Sequence, residues 1–193
     1  MRIAGGTLKG RVVAAPPGLG TRPTTSALRE AVFSSLEHHI SWPGSYVVDA
    51  FCGSGILGFE ALSRGVAHVT FVDIDREVCA RVRRTANDLM VGPQCTIMCA
   101  DAVAVLRTWA STPMHMVFAD APYHMNIGNT LLALLERNTL CGNGAFVVLD
   151  HGPLEQIIHG NGWHNVYRAE RGGCVVDVLQ RYVATEHVGR DTE

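Results

Sequence analysis

The chain has 193 residues and a mass of 20.9 kDa, the size of one domain with at most a short appendage, which argues against two independently folded units. Hydrophobic residues make up 47% and charged residues 18%, a composition that buries a sizeable core and excludes a disordered chain. The formal net charge is −2, but residues 1–29 hold Arg2, Lys9, Arg11, Arg22 and Arg29 and no acid, so a basic N-terminal segment precedes an acidic body and suits phosphate contact at one place.

In chain order, two short strands are expected at 2–4 and 11–14, then a loop rich in proline and glycine, then a helix over about 26–39. From Tyr46 onward short apolar runs alternate with amphipathic stretches. Strands are expected over 46–51, 68–73, 95–99, 114–120 and 144–149, and helices over 55–64, 75–90, 102–110 and 127–138. Asp75 and Asp101 stand where N-caps belong, and Gly65 and Gly92 follow helix ends. Strand and helix repeating in this way, with strands apolar on both faces, predict a doubly wound, mostly parallel α/β sheet. Residues 163–171 and 174–183 straddle Gly172-Gly173 and read as a closing antiparallel hairpin, which brings the sheet to seven strands. The expected organisation is a basic extension with its helix at 1–40, the sheet domain at 41–185 and a polar tail at 186–193.

No apolar run approaches the roughly 20 residues that span a bilayer, and the N-terminus lacks the pattern of a secretory leader; a soluble, cytoplasmic protein is expected, with no membrane partner. The six cysteines form no Cys-x-x-Cys pair. Cys52, Cys95 and Cys99 sit in apolar runs and are expected to pack as reduced thiols, and no metal is expected.

In a doubly wound sheet the ligand lies beyond the carboxyl ends of the strands. The first strand ends in Asp49-Ala50-Phe51-Cys52-Gly53-Ser54-Gly55-Ile56-Leu57-Gly58. This string satisfies G-x-G-x-x-G, shared by dinucleotide and S-adenosylmethionine sites: glycines permit a tight turn and close approach of a ligand to the backbone. Asp73 ends the second strand, where an acid can accept hydrogen bonds from both ribose hydroxyls of a nucleoside. Asp101, after the third strand, places another carboxylate near the adenine edge. The fourth strand ends in Asp120-Ala121-Pro122-Tyr123. An aromatic ring beside a carboxylate suits a flat heteroaromatic amine, with Tyr123 stacking on the ring while Asp120 and a backbone carbonyl accept its two N–H groups. A dehydrogenase would need a substrate domain for which this length has no room.

At these stations the chain resembles the class I S-adenosylmethionine-dependent methyltransferases, and Asp120-Ala121-Pro122-Tyr123 is similar to the (Asp/Asn)-Pro-Pro-Tyr signature of enzymes that methylate exocyclic amines. The segments Gly6-Thr7-Leu8-Lys9-Gly10-Arg11, Pro17-Gly18-Leu19-Gly20-Thr21-Arg22-Pro23-Thr24, Leu28-Arg29-Glu30-Ala31-Val32-Phe33 and Gly58-Phe59-Glu60-Ala61-Leu62-Ser63-Arg64-Gly65 resemble the bacterial 16S ribosomal RNA guanine-N2 methyltransferases of the RsmD type. The resemblance spans roughly residues 1 to 150. It implies a monomer that uses S-adenosylmethionine to methylate N2 of one guanine of 16S rRNA in a largely assembled small ribosomal subunit. On that resemblance Asp49, Phe51, Gly53, Gly55, Asp73 and Asp101 would hold the cofactor; Asp120, Ala121, Pro122 and Tyr123 would present the base; Lys9, Arg11, Arg22, Thr24 and Arg29 would hold RNA. Ala121 replaces the family's first proline, and the hairpin segment Arg171-Gly172-Gly173-Cys174-Val175-Val176-Asp177 departs from the family run expected there. Methylation of adenine N6 or a protein glutamine, and an inactive methyltransferase-like RNA-binding protein, are the alternative readings.

Overall fold

A computed structural model of the chain describes residues 1–14, 26–110, 112–137, 140–158, 160 and 162–183. The Thr21-Arg22-Pro23-Thr24 run, with Arg22 and Thr24, and the tail at 186–193 lie outside the described residues. The elements are α1 (Ser26–Glu37), β1 (Tyr46–Ala50), α2 (Ile56–Ser63), β2 (His68–Asp73), α3 (Arg76–Asp88), β3 (Cys95–Cys99), α4 (Ala102–Arg107), β4 (Met114–Asp120), α5 (Gly128–Arg137), β5 (Cys141–His151), β6 (Trp163–Arg171) and β7 (Cys174–Arg181). They build one seven-stranded sheet in the order β3-β2-β1-β4-β5-β7-β6. The first five strands pair in parallel, and β7 runs antiparallel to both β5 and β6.

Alternate strand residues feed two cores. Val47, Val69, Phe71, Met116, Phe118, Phe146 and Val148 pack with Leu28, Val32 and Phe33 of α1, Phe59 and Leu62 of α2, and Val78 and Val82 of α3. Val48, Ala50, Val72, Val117, Ala119, Val147 and Leu149 pack on the other face with Val105 and Leu106 of α4 and Leu131, Leu132 and Leu135 of α5. Burial on both faces is why these strands read as continuous apolar runs rather than alternating ones. Asp75 caps α3 by accepting from the amides of Glu77 (2.7 Å) and Val78 (3.4 Å), and Asp101 caps α4 by accepting from Ala104 (2.7 Å).

Several expectations are corrected. The two strands expected near the N-terminus reduce to one antiparallel bridge, Arg2 to Val12, because the amides of Ala4 and Gly5 donate to the side chain of Glu60 instead of to a strand (2.8 Å each). Helix α4 stops at Arg107, and the Thr108 hydroxyl donates back to the Ala104 carbonyl (3.0 Å), a local bond that competes with helix continuation. Strand β5 starts at Cys141, earlier than expected: Gly142 and Gly144 resemble turn residues in sequence, yet they form an irregular lead-in where the register with β4 shifts between Met114 and Met116. Cys99 is exposed rather than packed, and Cys95 is half-buried.

The N-terminal segment is docked, not loose. Ile3 and Val13 are buried in the α1–α3 core. The Leu8 amide donates to Ser63 Oγ (2.8 Å) and the Thr7 amide to the Ser63 carbonyl (2.7 Å). Gly6 has φ 75°, and a Cβ there would lie 1.8 Å from the Ser63 carbonyl oxygen, so only glycine permits this approach to α2.

Candidate active site

Connections leave the sheet in opposite directions from β1, toward β2, and from β4, toward β5. This is the topological switch point at which open α/β sheets bind ligands, and both sequence motifs flank it.

After β1 the chain turns through Phe51 (φ 59°), Gly53 (φ 52°) and Gly55 (φ 76°). The Gly55 amide donates to the Cys52 carbonyl (2.7 Å) and the Cys52 amide to the Val72 carbonyl (2.9 Å). Gly55 then opens α2, where a Cβ would meet the Phe59 ring at 2.9 Å. A Cβ on Gly58 would lie 2.3 Å from the Phe71 ring, so the third glycine lets α2 pack against β2. Two acids hold the turn from behind. Asp49, 2% exposed, accepts from the Gly58 amide (2.9 Å). Asp73 accepts from the Gly53 amide through Oδ2 (3.0 Å) and from the Asp75 amide through Oδ1 (2.9 Å), each oxygen keeping acceptor capacity. Burial drives the Asp49 carboxyl well above the usual carboxylate range; the charges of Asp120 and Asp73 add to this, and the Gly58 amide opposes it.

Beyond β4, Asp120 stands partly exposed at the mouth, Ala121 is buried and Pro122 enters a short 3-10 turn over Tyr123–Met125. Loss of hydration is the main cause, and the Asp150 charge the second, that push Asp120 up to about 7. Tyr123 is half-buried, and its hydroxyl donates to Asp150 Oδ1 at 2.6 Å. Asp150, one residue before the end of β5, lies opposite Asp120 in the β4–β5 register, is 8% exposed, and also accepts from the Cys174 thiol (3.0 Å). Sequence reasoning followed strand ends only through β4 and missed this acid; the same rule carried one strand further finds it. Next to it His151 is buried, Nε2 facing Asp177 Oδ2 at 3.0 Å and Nδ1 facing the Gly152 carbonyl at 3.0 Å. Asp177 also accepts from Asn165 (2.7 Å) and Arg168 (2.8 Å). Burial works against the His151 cation, but the bonds to Asp177 and Gly152 outweigh it and raise His151 above its ordinary value.

Asp49, Gly53, Gly55, Asp73, Asp120 and Tyr123 thus gather at one mouth, with Phe51 in the turn. Asp101 stands exposed at the neighbouring strand end as the cap of α4. Lys9 and Arg11 are exposed, and an Arg11 guanidinium nitrogen donates to the Asp88 carbonyl (2.7 Å). Arg29 corrects an expectation. It is 3% exposed, donates to the Arg2 carbonyl (2.7 Å) and lies 3.7 Å from Glu60, so its guanidinium is turned into the protein and withdrawn from RNA.

The family model described as "Conserved hypothetical protein 95" matches residues 1–180. The chain belongs to that family. It is similar to the ribosomal RNA small subunit methyltransferase D of Escherichia coli, 33% identical over 150 residues, which are 78% of this chain and 74% of that protein. Its counterpart in Haemophilus influenzae is 29% identical over 165 residues, 84% of each chain. Among solved structures, the yhhF protein of Escherichia coli superposes with a TM-score of 0.83 at 28% identity, covering 95% of this chain and 99% of that one. A ribosomal protein L11 methylase from Lactobacillus delbrueckii, at 17% identity, TM-score 0.67 and coverage of 91% and 88%, shares the fold. The architecture is that of a class I methyltransferase.

Proposed function

We propose that this chain transfers the methyl group of S-adenosylmethionine to the exocyclic N2 of a guanine in 16S rRNA, acting as a monomer on a largely assembled small ribosomal subunit. Family membership supports ribosomal RNA methylation as the general activity. The observation that carries the finer reading is the placement of Asp120-Ala121-Pro122-Tyr123 across the switch point from the glycine turn.

The donor set fits a sulfonium cofactor. The charges of Asp120 and Asp73 both reach Asp49 at the mouth, and such a cluster of acids favours a sulfonium cation while opposing a dinucleotide pyrophosphate. Gly53 and Gly55 would let the backbone approach the methionine part, Asp73 would hold the ribose and Asp101 the adenine end. When bound, the cofactor supplies an electrophilic methyl group. Asp120 and the Ala121 carbonyl would accept the two N–H bonds of the amine and turn its lone pair toward that methyl for in-line attack. The transfer would leave the nitrogen with a surplus proton, which Asp120 or water would take. Tyr123 would stack on a base drawn out of its own stack. Lys9 and Arg11, joined by Arg22 and Thr24, would hold RNA phosphates; in this reading residues 1–40 serve RNA, and residues 41–185 form the methyltransferase domain.

The test is transfer from methyl-tritiated S-adenosylmethionine to small subunits from a strain lacking this protein, followed by mass mapping of the rRNA. The expected product is a single N2-methylguanine. Label in adenine N6 or protein glutamine, or no label at all, would overturn the reading.

A further inference from the structure

We propose that Asp150 is a positioning residue for amine methylation: its Oδ1 holds the Tyr123 hydroxyl and thereby fixes the ring face offered to the target base. The inference rests on the function proposed above.

Four observations carry it. The Tyr123 hydroxyl to Asp150 distance is 2.6 Å, the short length of a charge-assisted O–H···O bond. The acid is buried one residue before the end of β5 and takes a second donor, the Cys174 thiol, on the same oxygen; its place is therefore set by strands β5 and β7 rather than by the loop it steadies. Tyr123 itself belongs to a single 3-10 turn that ends at Asn126 in the left-handed region (φ 46°), and a turn this short does not by itself fix a side chain. Tyr123 and Gly152 also lie close, since a Cβ on Gly152 would stand 3.5 Å from the ring, so the ring is bounded on one side by the β5 exit. A stacking platform held in one orientation costs less ordering when the base arrives. The phenol also titrates well above its ordinary value because of burial first and its bond to Asp150 second.

The experiment compares Asp150→Asn, Asp150→Ala, Tyr123→Phe and the Tyr123→Phe/Asp150→Ala double variant in the tritium assay, with calorimetry of S-adenosylmethionine and alkaline titration of the phenols by absorbance. Asp150→Ala and Tyr123→Phe should each lower kcat/KM for RNA roughly 10- to 100-fold, the range for losing a hydrogen bond to a charged group. The double variant should fall no further than either single, since one bond has been removed. Asp150→Asn, whose amide oxygen still accepts, should recover most of the loss, and cofactor affinity should stay unchanged throughout. One of the four tyrosines should resist titration in the wild type and titrate at lower pH in Asp150→Ala, still above the ordinary range because its burial remains. Additive losses, an equal loss in Asp150→Asn, or an unchanged phenol titration would overturn this inference while leaving the wild-type activity in place; an inactive wild type would instead overturn the proposed function.

Discussion

Arg29 and Glu60 meet inside the protein, Nε to Oε2 at 3.7 Å, with side chains 4% and 0% exposed. Glu60 also accepts from the amides of Ala4 and Gly5 and pairs with Arg64 at 3.0 Å. One carboxylate on α2 therefore ties together α1, the N-terminal segment and the helix that begins at the glycine turn. The basic extension is bolted to α2, the helix that follows the glycine turn.

Removing that carboxylate should unfold more than the extension. Glu60→Ala strands a buried guanidinium and two amides, and breaking a buried pair costs about 3–5 kcal/mol. A matching fall in denaturation free energy, with weakened cofactor binding by calorimetry, is the expected outcome. An unaltered midpoint would contradict the role assigned to Glu60.

The same burial separates Arg29 from the exposed basic residues. Lys9→Ala and Arg11→Ala should each flatten the log–log salt dependence of RNA binding by about 0.7 to 0.9 for each phosphate the variant no longer neutralises. Arg29→Gln should lower the melting temperature and leave that slope unchanged. Filter binding over a salt series, beside thermal melts, separates the two behaviours.

Asp120 gives a pH dependence with a definite sign. Its carboxyl is raised from 3.8 to about 7 in the folded protein, so it contributes stability that is fully present below about pH 4 and is lost as pH rises through about 7. In the proposed reaction catalysis runs the other way, because the ionised form is the better acceptor for the amine. Methyl transfer should rise with pH through about 7, and Asp120→Asn should lose this limb while gaining stability over the wild type above pH 7. Rate profiles and melts of both proteins across that window test both statements.

Asp73 holds the glycine turn through the Gly53 amide and in the proposed function also takes the ribose. Asp73→Ala removes the acceptor of the Gly53 amide as well as the proposed ribose contact, and S-adenosylmethionine affinity should fall by roughly 1 to 3 kcal/mol. Calorimetry should show this with NAD binding neither protein; NAD binding alone would refute the cofactor assignment.

Sequence by itself determined the parallel sheet, because strands buried on both faces must be continuously apolar, as Met116 to Ala119 and Ala145 to Leu149 are. It also determined the turn after β1, since Gly55 and Gly58 occupy positions where a side chain would strike Phe59 or Phe71. Local rules found the caps Asp75 and Asp101 because an N-cap is satisfied within three residues of itself. The fate of Arg29, the docking of residues 1–14 and the bond between Tyr123 and Asp150 were decided only by the tertiary structure. Arg29 looks like any other cation until Glu60, 31 positions away in sequence, is brought beside it. Tyr123 and Asp150 are separated by 27 positions and become neighbours because β4 and β5 pair in parallel. Charge and hydrogen-bonding capacity can be read from one residue, but whether they are spent on water, RNA or the protein's own interior depends on which distant groups the fold delivers.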